Sequence, residues 1–327
     1  MILTRAPLRV SFFGGGSDLP EYYEQKPGAV LSTTIDVFMH LAVNDSPQKR
    51  IKACYDELEI VDRTKDLKHA RIREVLHAFD IDSNIEISSF CHIPTKGTGL
   101  GSSSTYTVAL IKALAERTNT NLNSYDLAEA AYKIERVKCK EKLGKQDQYA
   151  AAFGGLNLIE FESDKVQVRP VPIGEGIKSE LQESLMFFYT GIKRTANDIL
   201  QSQASRTHLH HINDNITKMV GMAYEGSNLL FKQQLDDFGK CLDEAWKLKQ
   251  TLDPDISNYQ INEWYDDAMR AGALGGKLLG AGGGGFLMFY VPWKKQDAVR
   301  AALPLQEFKF KFTNNGAETL YANRTTH

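Results

Sequence analysis

Of the chain's 25 glycines, three fall at Gly14–Gly16, three at Gly97–Gly101 and eight at Gly272–Gly285, so more than half sit in three short windows. Glycine lets backbone N–H groups come close to a ligand and tolerates positive φ. Successive N–H groups at the start of a helix form an anion site, so a locally recognised anion is expected. The middle window has the strongest context: PTKGTGLGSSST, Pro94 to Thr105, lies between an alternating apolar run and a helical pattern. Its three serines stand where that helix begins and offer N–H donors and hydroxyls to phosphates and a metal.

Other glycine motifs fail on their letters. A Walker A loop requires GxxxxGK[ST], but around Gly276-Lys277 residue 271 is alanine and residue 278 is leucine. Gly280, Gly282 and Gly285 spell GxGxxG. A dinucleotide fingerprint follows a strand and opens a helix, whereas this one runs into the apolar stretch FLMFYV. Asp237-Phe238-Gly239 spells the protein-kinase DFG, yet no HRD or VAIK accompanies it and it lies in a helical stretch.

Periodicity gives the organisation. Ile35, Val37, Met39, Leu41 and Val43 recur every second residue, as do Ile85, Ile87, Ser89, Cys91 and Ile93 before Pro94, and both runs read as strands. Helical patterns follow through Val108, Ile111 and Leu114, and from Ser124 to Val137. The segment ESDKVQVRPVPIGEGIKSE mixes proline, glycine and charge, which places a domain boundary near residue 178 and divides the chain into 1–178 and 179–327. Beyond it come a strand at Leu185–Thr190, a long helical region to Leu252, a helix at Trp264–Ala271, a strand at Phe286–Val291 and a short helix after Trp293. Phe308, Phe310 and Phe312 then alternate as in a strand. Two α+β units, each a sheet covered by helices on one side, fit this order.

Thirty-nine basic against 41 acidic residues leave a net charge of -2, which offers no field for a nucleic-acid backbone or an anionic membrane. The cysteines, Cys54, Cys91, Cys139 and Cys241, are scattered without a CxxC pair, so reduced thiols are expected rather than disulfides or a zinc cluster. The start MILTRAPLRV lacks a signal-peptide apolar run, and a cytoplasmic location is expected. His208, His210 and His211 crowd together without a clear ligand spacing, and no metal is assigned to them.

Taken together the three glycine windows resemble the superfamily of galactokinase, homoserine kinase, mevalonate kinase and phosphomevalonate kinase, the GHMP kinases. RAPLRVSFFGGGSDLP (Arg5 to Pro20) is similar to their first motif, PTKGTGLGSSST to the second and KLLGAGGGGF (Lys277 to Phe286) to the third, in the same order. Within the superfamily, FFGGGSDLP, KQDQYAAAFGG and YTGIKRTA most resemble the heptose-phosphate kinases. The resemblance implies an N-terminal α/β domain like domain 2 of ribosomal protein S5 and a C-terminal ferredoxin-like α+β domain, with ATP and substrate meeting between them.

The resemblance also implies roles. Asp147 matches the catalytic aspartate that accepts the hydroxyl proton, although from spacing alone it reads as a cap. Arg9 matches the cation beside it, with a strand-surface ion pair as the alternative. Lys96, Gly97, Thr98, Gly99, Leu100, Gly101, Ser102, Ser103 and Ser104 match the phosphate-binding loop for ATP. Ser103 and Glu135 match ligands of Mg2+; a helix N-cap and a solvated charge are the alternatives. Asp18 matches a sugar-binding aspartate or, alternatively, a turn cap, with Gly15, Gly16 and Ser17 beside it. Galactokinases carry glutamate and histidine where Gly15 and Gly16 stand, which counts against galactose and leaves room for a bulkier sugar. Gly282 and Gly283 line the substrate. Thr190, Gly191, Lys193 and Arg194 would hold the sugar's own phosphate, because a dianion needs a cation on entering a pocket; for the last two an exposed helix-start pair is the alternative.

The expected reaction is ATP-dependent phosphorylation of the anomeric C1 hydroxyl of D-glycero-D-manno-heptose 7-phosphate, toward nucleotide-activated heptose. The partner is thus a small sugar phosphate, with a homodimer left open. A kinase for fucose or galactose and a non-catalytic sugar or nucleotide sensor of the same fold are the rivals.

Overall fold

The structure, a computed structural model, describes residues 1–94, 97–192 and 210–323. Two long antiparallel strands, β1 (Ile2–Phe13) and β2 (Gly28–Asn44), form the spine of a nine-stranded sheet. Ile2, Ala6, Leu8, Val10 and Phe12 of β1 are all buried. Beyond β2 the sheet continues through β5 (Ile85–Phe90), β3 (Ile51–Cys54) and β4 (Leu58–Val61), while β6 (Leu156–Phe161) pairs with the first half of β2 and with β7 (Val166–Pro170). The longer helices of this unit include α1 (Ala70–Ala78), α2 (Ser102–Arg117), α3 (Ser124–Tyr132) and α4 (Gln146–Phe153). Twelve of the sixteen residues of α2 are buried, so it is a central rod rather than a surface helix. That fixes the glycine loop at its N-terminus against the core.

The second sheet contains β8 (Leu185–Tyr189), β9 (Gly275–Leu278), β10 (Phe286–Tyr290) and β11 (Gln306–Phe308), all antiparallel, in the order β11-β8-β10-β9. Numbered along the chain that order is fourth, first, third, second. With helices α5 (His210–Phe231), α6 (Leu235–Gln250) and α7 (Tyr259–Ala271) between β8 and β9, and α8 (Gln296–Ala302) before β11, this is the βαββαβ ferredoxin-like plan. The end of β1 reaches this second layer, where Phe12 and Phe13 meet Phe238 of α6 edge-on, with ring centroids 5.4 and 5.2 Å apart.

Several elements differ from the periodicity reading. β1 is absent from it: Ala6, Leu8, Val10 and Phe12 do alternate with Pro7, Arg9 and Ser11, but a proline inside the run demotes a strand. The strand through Cys91 and Ile93 stops at Phe90. The helix from Ser124 changes at Lys133–Lys138 into a π-helical turn that carries Glu135. Phe308, Phe310 and Phe312 do not share a strand: Phe308 ends β11, Phe310 is buried in the core and Phe312 opens β12 (Phe312–Thr313), which pairs with β2. The chain then closes with β13 (Glu318–Ala322) on β1. We propose the domain boundary near residue 178 with this amendment: β12 and β13, although beyond it, belong to the first sheet. Among the described residues no helix is long and apolar enough to cross a membrane.

Candidate active site

Arg9 leaves β1 beside a register shift in its pairing with β2, and its side chain turns inward, only 4% exposed. Its Nε and Nη2 donate to one oxygen of Asp147, Oδ1, at 2.8 and 2.6 Å, and its Nη1 donates to the Gly99 carbonyl at 2.6 Å. The Arg9 backbone N–H donates to the Leu100 carbonyl at 3.0 Å. One planar fork thus ties the glycine loop to the first turn of α4, which a lysine could not do.

Asp147 lies in the first turn of α4. A Cβ at Gly101 would stand 3.2 Å from its other oxygen, Oδ2, and 3.3 Å from Arg9 Cγ. The hydrogen that glycine has there leaves Oδ2 facing the start of α2. A carboxylate held by one oxygen and open at the other, beside a guanidinium and a helix N-terminus, is suited to take a proton from a hydroxyl while an anion is bound close by.

Asp18 is buried behind it. Its Oδ1 accepts from the Gly16 N–H and Gln146 Nε2, and its Oδ2 from the Gln146 N–H, at 3.1, 3.3 and 3.2 Å. It therefore braces the Gly14–Asp18 turn against α4, the capping alternative. Burial first, and then the charge of Asp147, push its carboxyl up to about 6 from 3.8. A raised carboxyl favours the neutral form in the fold, so stability is lost as pH climbs from about 4 to about 6. At about 1.4 kcal/mol per tenfold change in proton affinity this comes to about 3 kcal/mol. The expected result is a difference in unfolding free energy between wild type and Asp18→Asn that moves by about this amount toward the variant between pH 4 and pH 7, measured by urea unfolding. A difference independent of pH would contradict the buried, raised carboxyl.

Most glycines of the second and third windows are needed for a different reason than a ligand. A Cβ on Gly99 would lie 2.3 Å from the Leu279 carbonyl oxygen, one on Gly280 2.4 Å from Gly99 Cα, and one on Gly285 2.5 Å from the Thr98 carbonyl oxygen. The two loops press backbone to backbone, closed by the Phe286 N–H on the Thr98 carbonyl at 3.1 Å. Gly282 and Gly283, expected at the substrate, instead meet Ile256, whose carbonyl accepts from the Gly283 N–H at 2.9 Å. Ser17 and Thr190 are likewise committed to backbone, Ser17 to Gly14 and Ala29 and Thr190 to Gly285. Gly15 and Gly191 remain open, with nothing within 4 Å of an added Cβ. Gly97 is packed beside Gly285, and Leu100 is buried in the core. Lys96, Lys193 and Arg194 lie outside the described residues, as do His208 and the side chains of His210 and His211.

The expected metal pair is not brought together as a pair. Glu135 is fully buried: Oε1 takes Arg71 and Thr107, and Oε2 takes Ser104 and Gln148. Burial raises its carboxyl against the pull of Arg71. With both oxygens engaged and a guanidinium on one, Glu135 does not fit a direct Mg2+ ligand in this arrangement, because a cation already occupies it. Ser103, exposed in the first turn of α2, does fit. No group of three or more metal-binding side chains occurs among the described residues.

Two lysines at this junction escaped the sequence reading. Lys249, 6% exposed, donates to the Leu278 carbonyl at 3.3 Å and to the Gly280 carbonyl; Lys277, 4% exposed, donates to the Phe12 carbonyl at 2.7 Å. The signal for Lys249 was present: it continues the apolar stripe of α6 through Leu235, Phe238, Leu242, Ala245 and Trp246, where a charge is out of place.

Family profiles match the chain twice, the GHMP kinases N terminal domain at residues 64–155 and the GHMP kinases C terminal at residues 228–309. A D-glycero-alpha-D-manno-heptose 7-phosphate kinase of Campylobacter jejuni is 33% identical, over 97% of this chain and 98% of its own length. The crystal structure of a D-glycero-D-manno-heptose 1-phosphate kinase from Bacteroides thetaiotaomicron has a TM-score of 0.80 at 28% identity, covering 99% of this chain and 100% of that one. A bifunctional fucokinase/GDP-fucose pyrophosphorylase of Arabidopsis thaliana is 27% identical over 86% of this chain, which spans 29% of that protein.

Proposed function

This chain belongs to the GHMP kinases, and from that premise we propose that its Arg9–Asp147 cleft moves the γ-phosphate of ATP to the anomeric C1 hydroxyl of D-glycero-D-manno-heptose 7-phosphate. As a member of the family the chain is an ATP-dependent sugar kinase. The observation that carries the reading is the carboxylate held by one oxygen on Arg9, with its other oxygen facing the N-terminus of α2.

In this reading Asp147 Oδ2 accepts the proton of the sugar hydroxyl as the oxygen attacks phosphorus. Arg9 keeps the carboxylate in place and offsets charge that develops on the phosphoryl oxygens. The N–H groups at the start of α2, Ser102 to Ser104, hold the phosphates of ATP. Mg2+ is carried mainly by those phosphates. Ser103 is the protein hydroxyl we assign to it, and Glu135 acts on the loop through Ser104. Gly15, Gly16 and Asp18 form the sugar side, and the open backbone at Gly15 suits a seven-carbon sugar. We place the reaction in the cytoplasm, where ATP is available and the four free thiols stay reduced.

The heptose 7-phosphate is favoured by the Campylobacter jejuni relative, which matches along its whole length. A second reading, phosphorylation of heptose 1-phosphate, draws on the name of the Bacteroides thetaiotaomicron protein. Steady-state kinetics with heptose 7-phosphate, heptose 1-phosphate, fucose and galactose test the choice. We expect kcat/KM for heptose 7-phosphate to exceed that for fucose and galactose by at least about 100-fold, because a site with buried groups for a phosphate rejects acceptors that lack one, and heptose 1-phosphate, whose C1 oxygen is already occupied, not to be turned over. Saturation by fucose or galactose alone would overturn the proposal.

A further inference from the structure

Beside the catalytic pair, the junction of the two layers holds two buried lysines that no carboxylate among the described residues neutralises. Lys249 on α6 and Lys277 on β9 are both more than nine-tenths buried, and their ammonium groups meet only backbone carbonyls, of Leu278 and Gly280 for the first and of Phe12 for the second. Among the described residues neither forms an ion pair with a carboxylate. Burial and Arg9 hold Lys249 down near 7; burial, Lys249 and Arg9 hold Lys277 well below the usual lysine range. Lys249 binds the carbonyls of Leu278, next to Lys277, and of Gly280, which packs on the Gly99 whose carbonyl seats Arg9, so the three side chains converge on one stretch of backbone.

A buried lysine without a counter-charge is costly to a fold, and the neighbours of Lys249 along its helix face are apolar, so a leucine or methionine would pack there at lower cost. Arg9 already has Asp147 as its counter-charge; what would offset the two lysines is an anion of more than one charge. Carbonyl contacts leave the ammonium groups further donors to give, one on Lys249 and two on Lys277. Phe12 leads directly into the Gly14–Asp18 turn, and Leu278 and Gly280 lead into the loop that packs on Gly99. The cluster thus borders both the sugar side and the nucleotide side of the cleft.

We infer that Lys249 and Lys277, together with Arg9, form a receptor for a phosphate dianion, either the acceptor's own phosphate or the terminal phosphate of the nucleotide. This rests on the reading of the cleft as a phosphoryl-transfer site, and it adds two binding residues that lie far from the 193–194 pair in sequence.

Calorimetric titration of the full chain measures binding without turnover, so a failure of this inference is separable from a failure of the kinase reading. The probes are inorganic phosphate, the β,γ-imido analogue of ATP, heptose 7-phosphate and free heptose, each against wild type, Lys249→Met and Lys277→Met. Methionine keeps the apolar stem and removes the charge. We expect inorganic phosphate to bind at least about tenfold more weakly to each variant, the loss typical of one charge-assisted hydrogen bond. The unliganded variants should melt at or above the wild-type temperature, since a buried amine without a carboxylate partner has been replaced by an apolar side chain. A matching loss confined to heptose 7-phosphate identifies the acceptor's phosphate; one confined to the imido analogue identifies the nucleotide's. Unchanged phosphate affinity with a lowered melting temperature would make the lysines structural props for the 278–280 backbone and overturn the receptor. An equal loss on free heptose would do the same.

Discussion

Asp147→Asn is expected to reduce kcat by about 10²–10⁴-fold, the range of a positioned general base, while the affinity for ATP stays within about twofold of wild type. The amide oxygen can still accept from Arg9 Nε and Nη2, which now hold Asp147 Oδ1 at 2.8 and 2.6 Å, so the guanidinium keeps its hydrogen bonds while losing its counter-charge. What is lost is the free oxygen facing α2, because an amide nitrogen there cannot take a proton from the sugar. In energy this is about 3–5 kcal/mol of transition-state stabilisation. Single-turnover rates with saturating ATP and acceptor make the comparison, with the melting temperature as the control for folding. A variant within about threefold of wild type would remove Asp147 from the chemistry.

The second large effect concerns the fold and the site together. Gly99 has φ +78, and a Cβ there would lie 2.3 Å from the Leu279 carbonyl oxygen and 2.6 Å from its carbon. Both are backbone atoms, so no side chain can swing aside. In Gly99→Ala the two glycine loops must separate, which breaks the Phe286 N–H bond to Thr98 and shifts the Gly99 carbonyl that seats Arg9. Strained φ alone costs about 1–2 kcal/mol, and with the clash added the loss of stability is expected to reach about 3 kcal/mol or more. Activity should fall beyond what the unfolded fraction explains, since the perch of Arg9 moves. Gly15→Ala makes the contrast: nothing lies within 4 Å of its added Cβ, and its stability should stay within about 0.5 kcal/mol of wild type. Urea unfolding of both variants checks this, and similar losses in the two would contradict backbone packing as the reason for Gly99.

How the site could be read from the letters follows from which forces act locally. The glycine windows lie at the cleft, yet Gly99, Gly280 and Gly285 are glycine because two loops cross without room for a Cβ, a contact between residues about 180 positions apart that no local pattern encodes. Arg9 and Asp147 each stood out through the motif resemblance, but their pairing spans 138 residues and needed the fold. Lys249 was visible as a charge on an apolar stripe. Its importance depended on Lys277 and Arg9 converging from other elements. Among the elements, β2 and α2 were legible because apolar residues on a regular period mark them, whereas β1, which alternates as regularly from Ala6 to Phe12, was masked by the proline in its middle. Phe308, Phe310 and Phe312 carried a true apolar alternation, but the chain changes sheets at Phe310, and an alternation does not say which sheet each residue faces.

What separates the two heptose phosphates as acceptors is the oxygen to which the new phosphate is attached. Heptose 7-phosphate and heptose 1-phosphate would each yield the same 1,7-bisphosphate, so the acceptors must be supplied separately and the product followed by proton-coupled phosphorus NMR. With heptose 7-phosphate and ATP, the account predicts a new phosphate resonance split into a doublet by the single anomeric proton, growing in step with ADP while the C7 phosphate signal persists. Silence with heptose 7-phosphate, together with a new resonance split by the two C7 protons when heptose 1-phosphate is supplied, would contradict it.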